Sequence, residues 1–309
     1  MQTVFFGTPA VAVPALRALA ECSTVVGVVC QPDRPAGRGL GLREPEVKVA
    51  CRALGLDVYQ PTKVRTGELA DWVTARRPDI AVVMAYGRIL PRAVLDAATH
   101  GFINLHASLL PRYRGAAPIQ WAIMRGETET GISLMQVDDR MDTGPVYTQT
   151  IVGIGPDETA GELAGRLAEV AARVVREDVG RVVSGELRPK PQAHDLATYA
   201  PPLTRDDARL DFARSARELH DQVRGLAPQP GAFTLLSGRV FRVLATRVVT
   251  EEAQGAPGQV SITPQRRIHV HTSDGTLELL VGQVEGRKVN DASSLVNGRA
   301  LTHGAILGS

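Results

Sequence analysis

The sequence predicts an α/β chain in which a doubly wound, mostly parallel sheet precedes a smaller antiparallel β-barrel. Three observations carry that reading. Through residue 185, short apolar runs alternate with helix-like segments at the lengths of βαβ units. Residues 186–205 hold four prolines and no periodic pattern, which reads as a linker. Beyond a helix near residues 213–224, residues 206–309 are short β-like runs split by glycine-rich turns.

The elements follow in order. "TVFF" reads as a buried strand, followed by a Gly-Thr-Pro turn and a helix over about 10–20. "STVVGVVC" is a second strand, rich in β-branched residues. After a long loop, Pro45 suits the first turn of a helix, and another helix over 68–76 precedes the strand "DIAVVMA". Pro91 opens a further helix, "FINLH" is a strand, "APIQWAIMRG" a helix ending at Gly126, and "GISLMQV" the next strand. Residues 159–185 carry apolar side chains at helical spacing and close the first domain. The expected architecture is therefore a Rossmann-like sheet over 1–185, a linker over 186–205 and an OB-like barrel over 206–309.

With 309 residues the chain can bury two cores without disulfide or metal staples. A net charge of +2 neither demands nor excludes a nucleic-acid partner, because a local patch decides that. Cys22, Cys30 and Cys51 form no CxxC pair and read as reduced packing residues. The start "MQTVFFGTPA" has no basic region ahead of its apolar run. No run approaches the ~18 apolar residues of a membrane span, so a cytoplasmic chain without membrane contact is expected.

Several motifs are missing. "GRGLGL" lies in mid-loop between prolines and does not join a strand to a helix, which argues against a dinucleotide site. The first turn lacks the Lys-Ser/Thr of a phosphate loop. His269 and His271 share a strand face without a third ligand, so they read as a solvated face and no metal is expected.

What the chain does carry is concentrated in "INLHASLLPRYRGAAPIQ". Asn104 and His106 are two apart, so on a strand they point to the same side, at the end where open α/β sheets place ligands. The following strand leads into "DDRMDTG", which offers Asp142 to that same edge. The loop "SLLP" is too apolar for an ordinary surface turn. This spacing alone does not name a reaction.

"NLHASLLPRYRGAAPI" resembles the HxSLLPxxxG signature of formyltransferases, and "MDTGPVY" resembles the DTG element that accompanies it. The longer match, to the methionyl-tRNA formyltransferase family, takes in "FFGTPAVAVPAL", "QPDRPAGRG", "VVMAYGRILP", "RGAAPIQ", "LTRDDARLDF" and "VRGLAPQPGAF". The resemblance implies transfer of a formyl group from 10-formyltetrahydrofolate, as cosubstrate, to the α-amine of methionyl-initiator-tRNA, with no metal and no obligate protein partner. It places Asn104, His106 and Asp142 at catalytic positions. It makes Ser108, Leu109, Leu110 and Pro111 one wall of a folate slot and Arg88, Ile89 and Leu90 another. The 31–46 loop would meet the acceptor end of tRNA through Arg38, with Arg34 and Arg43 also able to pair with phosphates.

The loop departs from the family pattern, since Leu40, Gly41 and Leu42 stand where lysines are usual; Gln229 likewise replaces a usual aromatic. Glycinamide ribonucleotide formyltransferases share the signature but have one domain. Sugar-nucleotide formyltransferases and formyltetrahydrofolate hydrolase-type domains are closer rivals, and "RGAAPIQ" and "AGRG" favour the tRNA enzyme.

Overall fold

A computed structural model describes residues 1–36, 41–249 and 255–308. The chain divides into two compact units. One comprises Met1–Pro118, Thr130–Val152 and Ala164–Pro201, the other Ile119–Glu129, Gly153–Leu163 and Pro202–Ser309.

The chain opens with β1 (Gln2–Gly7), α1 (Val13–Cys22) and β2 (Thr24–Val29). A short ribbon of β3 (Arg34–Ala36) and β4 (Gly41–Arg43) follows, then α2 (Glu46–Leu54), β5 (Val58–Tyr59), α3 (Glu68–Ala75) and β6 (Ile80–Met84). After α4 (Arg92–Leu95) come β7 (Phe102–His106), β8 (Arg114–Gly115), α5 (Pro118–Met124), β9 (Glu129–Gln136), β10 (Val146–Gly153) and α6 (Ala160–Val183). The main sheet runs β10-β9-β7-β6-β1-β2-β5.

The pairs β1–β2, β1–β6, β2–β5 and β6–β7 are parallel. Strands buried on both faces read as continuous apolar runs, and Val4, Phe5 and Phe6 in β1 have no exposed surface. Around Phe6 the rings of Tyr86 and Phe102 pack edge-on and tilted, with centroids 5.3 and 5.2 Å away. The strand order reverses direction at β1 and β6, whose carboxyl ends therefore border a crevice.

Three differences from the sequence expectation affect the site. β9 pairs with β7 antiparallel, so its exit at Gln136 lies beside Ile103, at the start of β7, and not at the edge where β7 ends. Strand direction is set by the connection, and periodicity does not record it. β10, unforeseen, is an edge strand whose residues are mostly half-exposed, which hides it from a search for apolar runs. Residues 186–201, expected as linker, are anchored: Lys190 bridges Val146, and β11 (Tyr199–Ala200) pairs with β8 in parallel.

The second unit holds the barrel. α7 (Ala216–Leu226) starts with a reciprocal capping box between Ser215 and Glu218. The strands β12 (Ala232–Leu236), β13 (Arg239–Val249), β14 (Val260–Ile262), β15 (Ile268–His271), β16 (Thr276–Val284) and β17 (Asn290–Asp291) follow, then α8 (Ala292–Asn297). The sheet runs β12-β13-β16-β15-β14, antiparallel between the pairs β12–β13, β13–β16, β15–β16 and β14–β15. Its two edges are joined by the last residues: Leu307 bridges Leu236, and Ile306 bridges Gln259. Closure removes the free edges that an open sheet would expose. Leu219, Leu226, Phe241, Val260 and Ile268 form its core with no exposed surface. His269 and His271, expected on a solvated face, are buried, and His271 Nε2 lies 2.6 Å from Ser261 Oγ. Among the described residues no group of side chains could hold a metal ion, and no helix is long and apolar enough to cross a membrane.

Candidate active site

Strand β7 delivers Asn104 and His106 to one face of the sheet, near its carboxyl end. Asn104 is half-buried, with Val83 on one side and Met135 on the other. His106 is 6% exposed. Its Nε2 lies 2.9 Å from the Tyr113 carbonyl oxygen, which can only accept, so that nitrogen carries a hydrogen. Its Nδ1 faces Asp142 Oδ1 at 3.7 Å, longer than a hydrogen bond.

Asp142 reaches this point because the 137–145 loop folds back from the far end of β7. The DTG residues each have a part in that fold. Asp142 accepts the Gly115 backbone N–H on Oδ2 at 2.8 Å, leaving Oδ1 for the imidazole. Thr143 Oγ1 donates to Asp138 Oδ2 at 2.7 Å and ties the two sides of the loop together. Gly144 packs so tightly that a Cβ there would stand 1.9 Å from the Gln136 carbonyl oxygen. Asp142 itself holds a left-handed backbone, φ +53°, which is uncommon for a residue with a side chain and needs support from its surroundings.

The apolar turn after His106 is braced from inside. Ser108 Oγ donates to the Arg112 carbonyl at 2.6 Å, and Ser133 Oγ donates to the Ser108 carbonyl at 2.6 Å while accepting the Leu110 N–H at 3.1 Å. Gln149 Nε2 donates to both the Leu110 carbonyl and Ser133 Oγ, each at 2.9 Å. The Ser108 hydroxyl has no exposed surface and closes the turn. Leu110 and Leu90, expected in ligand walls, are each 5% exposed. Leu109 and Pro111 are half-buried, and Ile89 is 52% exposed. Arg88 turns to Gln31 Oε1 at 2.9 Å and the Thr62 carbonyl at 2.8 Å, tying the ends of β2 and β6 together.

At the crevice between β1 and β6, a cleft of about 580 Å3 is lined by Thr8, Pro9, Gln31, Arg34, Arg43 and Tyr86 among others. Its outer wall is the β3–β4 ribbon, in which Arg34 and Arg43 stand directly opposite each other. Like charges in that relation repel, and Glu46 offsets part of this through its bond to Arg43. Lys48 on α2 clips the base of the ribbon, where its two strands enter and leave, reaching Asp33 at 2.7 Å and Glu44 at 3.2 Å. Gln60 and Lys48 hold the Asp33 carboxyl below its ordinary range. Arg38 lies outside the described residues.

Sequence reasoning missed Tyr113, Gly115, Gln192 and Arg114 as parts of this site. Gln192 Nε2 donates to the carbonyl oxygens of Asp142 at 3.0 Å and Gly144 at 2.7 Å. Arg114 Nη2 in turn donates to Gln192 Oε1 at 2.6 Å. Arg114 stood inside the quoted motif, but a lone glutamine among prolines gives no local signal.

Residues 1–179 match the formyl transferase family, and residues 202–300 match the formyl transferase C-terminal domain. The methionyl-tRNA formyltransferase of Sorangium cellulosum (strain So ce56) is 56% identical over 310 residues, covering 100% of both chains. That of Myxococcus xanthus (strain DK1622) is 45% identical over 304 residues, covering 98% of this chain and 97% of its own. Among solved structures, the sugar 3N-formyl transferase WlaRD, crystallised with dTDP and 5-N-formyl-THF, superposes with a TM-score of 0.69 at 13% identity, over 93% of this chain and 99% of its own. HypX from Aquifex aeolicus, in complex with tetrahydrofolic acid, gives 0.64 at 18% identity over 97% of this chain and 47% of its own. The two matched domains and full-length identity of up to 56% together establish that this chain belongs to the methionyl-tRNA formyltransferases of the formyl transferase family.

Proposed function

We propose that the chain transfers the formyl group of 10-formyltetrahydrofolate to the α-amine of methionyl-initiator-tRNA, with Asn104, His106 and Asp142 as the catalytic residues. The observation that carries this is the placing of Asp142 Oδ1 opposite His106 Nδ1 while the other ring nitrogen is anchored on Tyr113.

The amine attacks the formyl carbon and the carbonyl electron pair moves onto oxygen. Collapse then breaks the C–N bond to the donor; the amine loses a proton and the leaving nitrogen gains one. The developing oxyanion needs donors already in place, and one well-aimed donor is worth ~3 kcal/mol of barrier. The Asn104 amide has no other partner among the described residues and supplies one. His106 supplies the second from Nδ1, since Nε2 is committed to Tyr113. This refines the sequence reading, which did not distinguish the two nitrogens. Asp142 sits beside that Nδ1, its Oδ1 3.7 Å from the ring nitrogen, and it can take the amine's proton.

A pterin needs a largely apolar slot with a few fixed polar groups. Exposed Ile89 beyond β6 and half-buried Leu109 and Pro111 beyond β7 follow adjacent parallel strands and fit that requirement. Arg34 and Arg43, opposed on the ribbon, suit phosphates of the acceptor end, and Arg38 is assigned there with them. Residues 1–185 form the catalytic domain in this reading, and the barrel over 206–309 contacts the tRNA backbone through arginines on its strand runs, Arg239, Arg242, Arg247, Arg266 and Arg267. Of these, Arg242 donates to the Pro230 carbonyl, and Arg247 and Arg267 lie 3.7 and 3.8 Å from Glu278.

A formyl-transfer assay comparing methionyl-initiator-tRNA, elongator tRNA and amino sugar nucleotides tests the reading. Formylation of the initiator alone is expected. Turnover of an amino sugar nucleotide with no product on tRNA would overturn it.

A further inference from the structure

Residues 186–205 read from sequence as a linker, yet Gln192, a buried side chain within them, uses every hydrogen-bonding position it has. The Gln192 amide nitrogen donates to the carbonyl oxygens of Asp142 and Gly144, at 3.0 and 2.7 Å. Its oxygen accepts from Arg114 Nε at 3.2 Å and Nη2 at 2.6 Å. Two donors and two acceptor sites exhaust the amide. Because a guanidinium only donates, the amide orientation follows from chemistry: its oxygen must face Arg114 and its nitrogen the loop.

Arg114 is 3% exposed and Gln192 8%. Burying a guanidinium is costly unless it is well bonded, and here its partners are neutral, the Gln192 oxygen and His194 Nδ1 at 2.9 Å. A charged donor on the amide oxygen polarises the group and strengthens the N–H bonds on its other side. Those bonds end on the backbone of Asp142 and Gly144, the segment that carries the left-handed φ of +53°. From the other direction, the N–H of Gly115, next to Arg114, holds the Asp142 carboxylate at 2.8 Å. The dipeptide Arg114–Gly115 thus grips Asp142 twice, once directly and once through Gln192.

We propose that Gln192 and Arg114 are positioning residues for the reaction: together they hold the Asp142 backbone in its strained conformation and so set the carboxylate against His106. The proposal rests on the catalytic reading of Asp142 given above. Neither residue touches the reacting atoms, and both act through Asp142.

Two substitutions separate positioning from mere satisfaction of a buried arginine. Gln192→Glu keeps an acceptor for Arg114, with a countercharge added, but cannot donate to the two carbonyls. Gln192→Leu removes both functions. Each is measured for kcat and for KM toward folate and tRNA, and the His106 ring is followed by 15N NMR over a pH titration. Asp142→Asn serves as the reference for a ring without its carboxylate. We expect both Gln192 variants to lose kcat by tenfold or more, with either KM changed less than threefold. We expect the His106 ring resonances and titration midpoint to move toward those of Asp142→Asn. Wild-type kcat and ring titration in Gln192→Glu would overturn the proposal, because the glutamine would then serve only Arg114. A fall in kcat with an unmoved His106 ring would also overturn it. The ring measurement needs no acceptor substrate, so a moved ring in a protein that formylates no tRNA would sink the formyl-transfer reading and leave the positioning role supported.

Discussion

Asp142 Oδ1 lies 3.7 Å from His106 Nδ1, although the loop carrying Asp142 leaves its strand beside Ile103, at the opposite end of β7. The approach is therefore a product of the loop and not of the sheet. Asp142→Asn preserves size and an acceptor for the Gly115 N–H, and removes only the charge facing the ring. We expect kcat to fall on the order of 10²-fold, the loss typical of one preorganised transition-state group. Folate KM should stay near the wild-type value. Steady-state kinetics with both substrates varied decides this, and wild-type turnover would remove the role.

Lys48 closes the base of the β3–β4 ribbon, next to the opposed Arg34 and Arg43, so it controls how well they are presented. Lys48→Met leaves the Asp33 and Glu44 carboxylates near each other without their shared cation. Amide hydrogen exchange in β3 and β4 should speed up and the KM for tRNA should rise several-fold, with folate KM unchanged. Lys48→Arg should recover most of the tRNA affinity. Unaltered exchange in Lys48→Met would show that the ribbon holds its shape without the clip.

Much of this was legible in sequence because it rests on local chemistry. β7 runs from Phe102 to His106 as its apolar run indicated, and α6 fills its helical pattern. Asn104 and His106 face one side because a strand alternates. What was hidden is non-local. Nothing in "GISLMQV" records that β9 runs antiparallel, and nothing in "PKPQAH" marks Gln192 as a residue whose partners are 48 and 50 positions away. The bracing of the apolar turn was equally hidden: it leaves carbonyls that need a donor, and the Ser108 hydroxyl gives its hydrogen to the Arg112 carbonyl.

His220 provides a pH dependence of stability. It is buried on α7, with Thr246 Oγ1 3.1 Å from Nδ1 and the Pro156 carbonyl 3.3 Å from Nε2. Burial pushes its pKa below the usual value of 6.5, Arg224 adds to this, and Asp221 and Asp157 oppose it. Asp157 approaches to 3.2 Å, but its side chain is 77% exposed, so its charge is screened and burial dominates. A base with a depressed folded pKa costs nothing above its unfolded pKa. As pH falls below about 6.5 the unfolded chain takes up the proton first, and stability is lost until the folded pKa is passed. Thermal unfolding from pH 7.5 to 5 should show a falling midpoint, with a shallower slope in His220→Gln. Equal slopes in the two proteins would exclude His220 as the source.

The three thiols should separate by burial. Cys30 has no exposed surface, and burial pushes its thiol up to about 12; Cys51, equally enclosed, is pushed to about 11. Cys22 is exposed at the end of α1, though partial burial of its sulfur also raises its pKa. Only the thiolate attacks an alkylating reagent, so Cys30 and Cys51 are shielded twice, by access and by protonation. Iodoacetamide at pH 7.5 should modify Cys22 alone, slowly, in the folded protein, and all three cysteines once urea unfolds it. The same shifts make the fold weaken in alkali. From about pH 9 the unfolded chain loses thiol protons that the folded chain keeps, so stability present below that pH declines as it rises toward the folded values. Peptide mapping by mass spectrometry reads the labelling. Rapid modification of Cys30 in the native protein would mean that the β2 end of the sheet opens far more readily than its packing implies.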